Sequence, residues 1–401
     1  MKIVLVHNSY QQAGGEDVVV EQERRCLERA GHRVVFYSRS NAEITSLTAI
    51  GKIALAKNTV WSSRTHREFS ALLAREVPDL VHIHNTFAVI SPSIYAACHE
   101  RGVPVVQTLH NFRLMCPAAT FYRSGHVCEE CVEKRLWQAV HHGCYRGSRA
   151  ATATVAMMLA THRFLGTWDD SVHTYVALSA FSRAKFIAAG LREEKIVVKP
   201  NFVDPDPGPR AEFGDYALFV GRLSEEKGLE TLLRAWERLP TQYQLQVVGD
   251  GPERPTAEAR IRERGISNIV FRGRLSRDET IALMKGARFL LVPSTCYEGF
   301  PMVIAEAMAC GTPVVCSRIG AMEEIVADHA TGLQFTPGDS ADLLRKVTWA
   351  WNHPYEIAEM GRAARCEYER RYTAEKNCAL LMEIYERTLN RAATSVPAVS
   401  H

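Results

Sequence analysis

No apolar run in this chain approaches the ~18 residues that a helix needs to cross a bilayer, so a transmembrane helix is excluded. No strand pattern is followed by Gly-x-Gly-x-x-Gly with an acid further on, which removes a dinucleotide-binding dehydrogenase. No stretch interleaves basic and aromatic residues as a nucleic-acid platform does, and no nucleic-acid partner is expected. A fixed short repeat is also missing. The opening MKIVLVHNS runs directly into a strand pattern with no cleavable leader behind it, which points to the cytoplasm. In that reducing compartment the 11 cysteines are expected to be mostly thiols or metal ligands rather than disulfides.

What is present is an ordinary globular composition, 46% hydrophobic and 23% charged, over 401 residues, a length that implies two domains. The net charge of +3 hides an asymmetry: residues 1–200 carry 24 Lys+Arg against 17 Asp+Glu, the remainder 24 against 28. A basic first half suits phosphates or a peripheral contact with the inner face of an anionic membrane, and equally a scattered solvated surface.

Short β-branched runs alternate with helical patterns, the mark of parallel α/β architecture. KIVLV, RVVFYS, DLVHIH, VPVVQTLH, TYVALS and KIVVKPN read as strands of the first half. Helices are expected from about Glu16 to Gly31, from Pro92 to about Arg101 and near Ala180–Ala189. The proline-rich NFVDPDPGPRAEFGD reads as a linker. The alternation then resumes with YALFVG, LQVVGDG, NIVFRG, RFLLVPS and TPVVCS before a C-terminal helical stretch, and the final RAATSVPAVSH reads as disordered. Lobes of this kind bind ligands at the carboxyl ends of their strands.

The chemistry concentrates in EGFPMVIAEAMACG, residues 298–311. Its apolar and small residues predict a buried helix, yet Glu298 and Glu306 sit in it, and a buried carboxylate is costly unless it is paired or hydrogen-bonded. Pro301 suits a first helical turn and Gly311 its end. Glu298 therefore precedes a helix N-terminus, where it is either a simple helix-end charge or a ligand group, and Glu306 lies inside the helix, where it could pair with an arginine. In FVGRLSEEKGLETL, Arg222 ends a strand and Lys227 opens a helix, between Gly221 and Gly228. Two cations and helix N–H groups suit a diphosphate, and carboxylates suit vicinal hydroxyls.

VGRLSEEKG, VVGDGPE, FRGRLS and YEGFPMVIAEAMACGTPVVCS resemble the nucleotide-sugar-binding lobe of glycosyltransferase family 4, and AGGED, TLHNF and KPNFVD resemble its acceptor lobe. The resemblance implies the GT-B fold: two doubly wound, Rossmann-like α/β domains facing across a cleft. It divides the chain into an acceptor domain (1–203), a nucleotide-sugar donor domain (204–375) and a C-terminal segment (376–401) whose helix packs back on the first domain. It implies a retaining hexosyltransferase that moves a sugar from a UDP-, GDP- or ADP-sugar to a glycan or lipid-linked acceptor in cell-surface polysaccharide or glycolipid assembly, without a catalytic divalent metal. A phosphorylase or sugar-nucleotide epimerase on the same fold is the alternative. By the same resemblance Arg222 and Lys227 would hold the diphosphate, and Glu298 would face the donor sugar. The backbone of Gly299, Phe300 and Pro301 would line sugar and diphosphate, Glu306 would bind the ribose, and Arg274 and Leu275 would lie by the base. His110 would sit by the donor sugar, and Gly14 and Gly15 near the phosphates.

Residues 112–146 form a cysteine-rich insertion with the spacing Cys116-x11-Cys128-x2-Cys131-x12-Cys144. A Cys-x2-Cys knuckle with two further cysteines fits a closed structural zinc site. Reduced buried thiols and an iron–sulfur cluster fit the same spacing. The following YRGSRAATATVAMMLATHRFLGTW predicts either an amphipathic helix on anionic lipid or a core helix.

Overall fold

The computed structural model describes every residue except 12–13, 46–47, 133–134, 213 and 396–401. It divides into two compact units. The first comprises Met1–Phe121, Glu129–Pro200 and the chain from Glu375 onward; the second comprises Tyr122–Cys128 and Asn201–Ala374.

In the first unit β1 (Lys2–Ser9), β2 (Arg33–Ser40), β3 (Leu80–Asn85) and β4 (Val105–Leu109) precede a short hairpin, β5 (Tyr122–Arg123) and β6 (His126–Val127), whose residues are grouped with the second unit. β7 (Thr174–Ala177) and β8 (Ile196–Val198) complete a parallel sheet of order β2-β1-β3-β4-β7-β8. β1 is buried along Ile3–Asn8, as befits a parallel strand covered on both faces. The helix Gly15–Arg29 turns Val19, Val20, Cys26 and Leu27 to the core, with Glu16 and Asp17 in its first turn and Arg29 in its last, the charge order that a helix dipole favours.

The second unit holds β9 (Tyr216–Val220), β10 (Gln244–Val248), β11 (Ile269–Gly273), β12 (Phe289–Val292), β13 (Val314–Ser317) and β14 (Gly332–Phe335), parallel in the order β11-β10-β9-β12-β13-β14. The helix Leu229–Trp236 buries Leu229, Leu232, Leu233 and Trp236 at helical spacing. Each sheet is doubly wound, and the chain reverses direction across it between β1 and β3 and between β9 and β12. These are the switch points where strand ends open a crevice.

Several expectations change. Helices Ala49–Val60 and Ser63–Glu76 and the sixth strand β14 went unread in the sequence. The helix Ala374–Ser395 continues into RAATS, where disorder was expected; 396–401 lie outside the described residues. Leu381, Ile384 and Tyr385 of that helix join the core formed by Ile3, Leu27, Leu80, Val106 and Val176. The same helix carries Cys378, joined as a disulfide to Cys26 with Cα atoms 6.3 Å apart; the other nine cysteines form no disulfide, in keeping with the expectation that most would not.

Candidate active site

The switch point of the second unit gathers the loops after β9 and β12. Gly228 adopts φ +73°, and a Cβ there would fall 1.9 Å from the carbonyl oxygen of Pro293, so only glycine lets the two loops approach this closely. Thr295 N–H donates to the carbonyl of Glu226 at 2.9 Å, a second tie between them. Lys227, on the turn Glu225–Lys227, places Nζ 2.5 Å from Oε1 of Glu298, and Ser294 Oγ donates to the same oxygen at 2.8 Å. Burial opposes charge on both partners, yet each holds the other ionised: the Lys227 ammonium lies above its ordinary value and the Glu298 carboxyl below.

Glu298 stands on the loop before the helix Met302–Ala309, with Pro301 at the N-cap and Phe300 buried edge-on against Tyr372. Gly299 sits between them on the half-buried loop. Glu306, the fifth residue of that helix, lies 3.8 Å from Nε of Arg277. Burial raises the Glu306 carboxyl above its ordinary value and Arg277 offsets this only in part. Nε and Nη2 of Arg277 are buried without a hydrogen-bond partner, so acid and guanidinium are drawn together but incompletely satisfied. Arg274 is exposed and Leu275 half-buried, directly after β11. Arg222 is exposed too, opening on a cavity lined also by Ser224, Glu225, Glu226 and Glu253. Lys227, Glu298 and Ser294 are thus brought into contact. Ser294 and Arg277 escaped the sequence reading; the hydroxyl at a strand end, four residues before Glu298, was the available signal for the first.

In the first unit Gly14 caps the helix that begins at Gly15 and donates its N–H to Asp17 Oδ2 at 2.8 Å. Behind it His7 Nε2 contacts Asp17 Oδ1 at 2.9 Å and Tyr10 Oη donates to Glu16 Oε2 at 2.8 Å. Burial lifts the Glu16 carboxyl to about 7 against the pull of His7 and Tyr10. His110 follows β4 and its Nε2 lies 2.8 Å from Nδ1 of His84, at the end of β3. Both rings line one cavity with Asn111 and Arg113. Burial holds both imidazoles well below their ordinary value, hence neutral.

Of the four cysteines, Cys116 and Cys131 are buried, and Cys128 and Cys144 partly so. Among the described residues the group of three potential ligands drawn within 4.8 Å is Glu23, His82 and His84, not the thiols.

Two family profiles match the chain in series: "Glycosyltransferase Family 4" over residues 13–207 and "Glycosyl transferases group 1" over residues 205–367. The chain belongs to glycosyltransferase family 4. This family-4 glycosyltransferase is 28% identical to the 2-deoxystreptamine glucosyltransferase of Streptomyces kanamyceticus over 88% of the chain and 87% of that protein. It is 32% identical to the D-rhamnosyltransferase WbpZ of Pseudomonas aeruginosa over 42% of each. In fold it matches sucrose-phosphate synthase from Thermosynechococcus elongatus (TM-score 0.71, 19% identity, 97% of this chain and 99% of that one). It also matches Anabaena HepE in complex with UDP-glucose (TM-score 0.68, 20% identity, 98% and 100%). The GT-B architecture of the family-4 chain is thereby established, with its two parallel six-stranded sheets.

Proposed function

We propose that this glycosyltransferase is a retaining hexosyltransferase using a nucleotide-sugar donor, with UDP-glucose as the leading donor class. The Lys227–Glu298–Ser294 cluster supports the reading: it puts an ammonium and a carboxylate together at the switch point where nucleotides bind in doubly wound sheets. Lys227 with Arg222 would stabilise the departing diphosphate, Glu298 would accept hydrogen bonds from the sugar, and Glu306 from the ribose. His110 would serve the donor sugar, with Gly14 and Gly15 near the phosphates, although the Gly14 N–H already donates to Asp17 Oδ2 at 2.8 Å. The likeness to a glucosyltransferase and to HepE bound to UDP-glucose supports the donor choice. A glycan or lipid-linked acceptor is supported by kinship with an O-antigen chain mannosyltransferase from Escherichia coli. Incubation with UDP-, GDP- and ADP-glucose tests the donor. A rise in melting temperature and slow release of nucleoside diphosphate with UDP-glucose alone are expected; no response to any of the three overturns it.

A peripheral membrane contact belongs to the same reading. No described helix is long and apolar enough to cross a bilayer. The helices Ala49–Val60 and Arg149–Phe164 pack together and expose Ile50, Ile53, Met157 and Phe164. Neither helix contains Asp or Glu, and Lys52, Lys57 and Arg149 are exposed on them, a charge that suits anionic lipid. Co-sedimentation with phosphatidylglycerol vesicles, lost in Ile53→Glu/Phe164→Glu, is the expected result. Zinc on the cysteine quartet is proposed as a structural ion, supported by spacing; the thiols would have to close further around it than the described structure holds them.

A further inference from the structure

Behind His110 lies a line of buried groups that binding a sugar does not by itself require. Lys199 and Glu23 are 0% and 1% exposed, with Nζ 2.7 Å from Oε1 and 2.8 Å from Oδ1 of Asn377. A buried ion pair contributes little net stability, because desolvation offsets attraction. Its second oxygen, Oε2 of Glu23, faces Nε2 of His84 at 3.4 Å. Neither atom forms a hydrogen bond, so this contact is electrostatic. His82, the other ring beside Oε2, is engaged at both nitrogens, with Tyr385 Oη at 2.7 Å and Thr108 Oγ1 at 2.8 Å.

A carboxylate only accepts and repels a lone pair, so the neutral ring lowers its energy by turning N–H rather than a lone pair toward Oε2. His84 is then the Nε2–H tautomer, and its Nδ1 is a bare lone pair. The contact of 2.8 Å from that Nδ1 to His110 Nε2 needs one proton, which His110 must supply. His110 is left with an unprotonated Nδ1.

We infer that Glu23, neutralised by Lys199, is a positioning residue that acts through His84 to fix His110 in its Nε2–H tautomer, making His110 a hydrogen-bond acceptor for a substrate hydroxyl. The neutral state of both rings agrees with this. The substrate half of the inference rests on the proposed service of His110 to the donor sugar; the tautomer half does not.

The full-length protein labelled with 15N-histidine tests it at pH 8, where long-range proton–nitrogen correlations distinguish the tautomers. His84→Asn and His110→Asn assign the signals. Both rings are expected as Nε2–H; a Nδ1–H form of either ring overturns the inference without touching the proposed reaction. The second arm is Glu23→Gln/Lys199→Met, which leaves no uncompensated buried charge and offers His84 an amide that donates or accepts. A Nδ1–H population at His110 and a kcat lower by about tenfold or more, with unchanged affinity for UDP, are expected. An unaltered tautomer overturns the role of Glu23. An altered tautomer with unaltered kcat overturns the service of His110 to the sugar and leaves the relay standing.

Discussion

Lys227 and Glu298 stand 71 residues apart in sequence and 2.5 Å apart in space, an ammonium and a carboxylate already paired where the leaving diphosphate would develop charge. The pair is preorganised, so its contribution requires no rearrangement at the moment of transfer. Lys227→Ala should lower kcat/KM by roughly a hundredfold, about 3 kcal/mol, by analogy with removing one preorganised donor. Steady-state kinetics on the folded variant decide it, and wild-type turnover would remove Lys227 from the site.

The two glutamates should separate by calorimetry with bare UDP. Glu306→Gln should weaken binding by about tenfold or more, the scale of a hydrogen bond to a charged group, because ribose contacts exist in the ground state. Glu298→Gln should leave UDP affinity nearly unchanged while turnover falls. Equal losses of affinity would contradict the division of roles.

Glu16 gives a pH dependence with a definite sign. Its carboxyl rises from an ordinary value of 4.5 to about 7 in the folded chain, so the folded state holds a proton that the unfolded state releases. Stability should therefore fall as pH rises from about 4.5 to about 7, by at most about 3 kcal/mol, and stay level above. Glu16→Gln should melt near wild type at pH 5 and above it at pH 8. A difference in melting temperature that does not change with pH would refute the shift.

Stereochemistry is checked on the product. Attack and departure on the same face predict that the donor's anomeric configuration is kept, and proton NMR coupling at the new linkage reads it directly. The opposite anomer would exclude the retaining reaction.

Zinc is checked by elemental analysis of protein purified without added metal, with about one equivalent expected. Cys128→Ser/Cys131→Ser should abolish it and raise proteolysis within residues 112–146 while UDP binding persists. Under about a tenth of an equivalent would leave the four residues as cysteines without an ion.

The alternation of strands was legible because the strands of a parallel sheet read as continuous apolar runs; β14 was not, since GLQF offers four residues and a glycine start. Helix Ala49–Val60 carries a weak cue, since its exposed Ile50 and Ile53 blur any apolar stripe, whereas Ser63–Glu76 buries Thr65, Phe69 and Leu73 at helical spacing, a stripe that the sequence does display. Lys227 and Glu298 could be named from motif chemistry, but their contact depends on Gly228 pressing against Pro293, which spacing does not encode. The option that Glu306 pairs with an arginine was open in the sequence, and Arg277 is that partner, loosely. Glu23, Lys199 and His84 come from three distant segments and look like surface charge and strand filler until folded together.

The helix Ala374–Ser395 supplies Leu381, Ile384 and Tyr385 to a core begun by Ile3 and Leu27. Emergence from the ribosome therefore separates the two halves of that core by the whole of the second unit, on the order of 10–40 s at roughly 5–20 residues per second. During that interval the first sheet must wait with an apolar face uncovered, while Asn201–Ala374 can complete its own core as it emerges. The nascent chain thus finishes its second unit before its first, and a transcript cut short before Leu381 yields a protein whose amino-terminal half never closes.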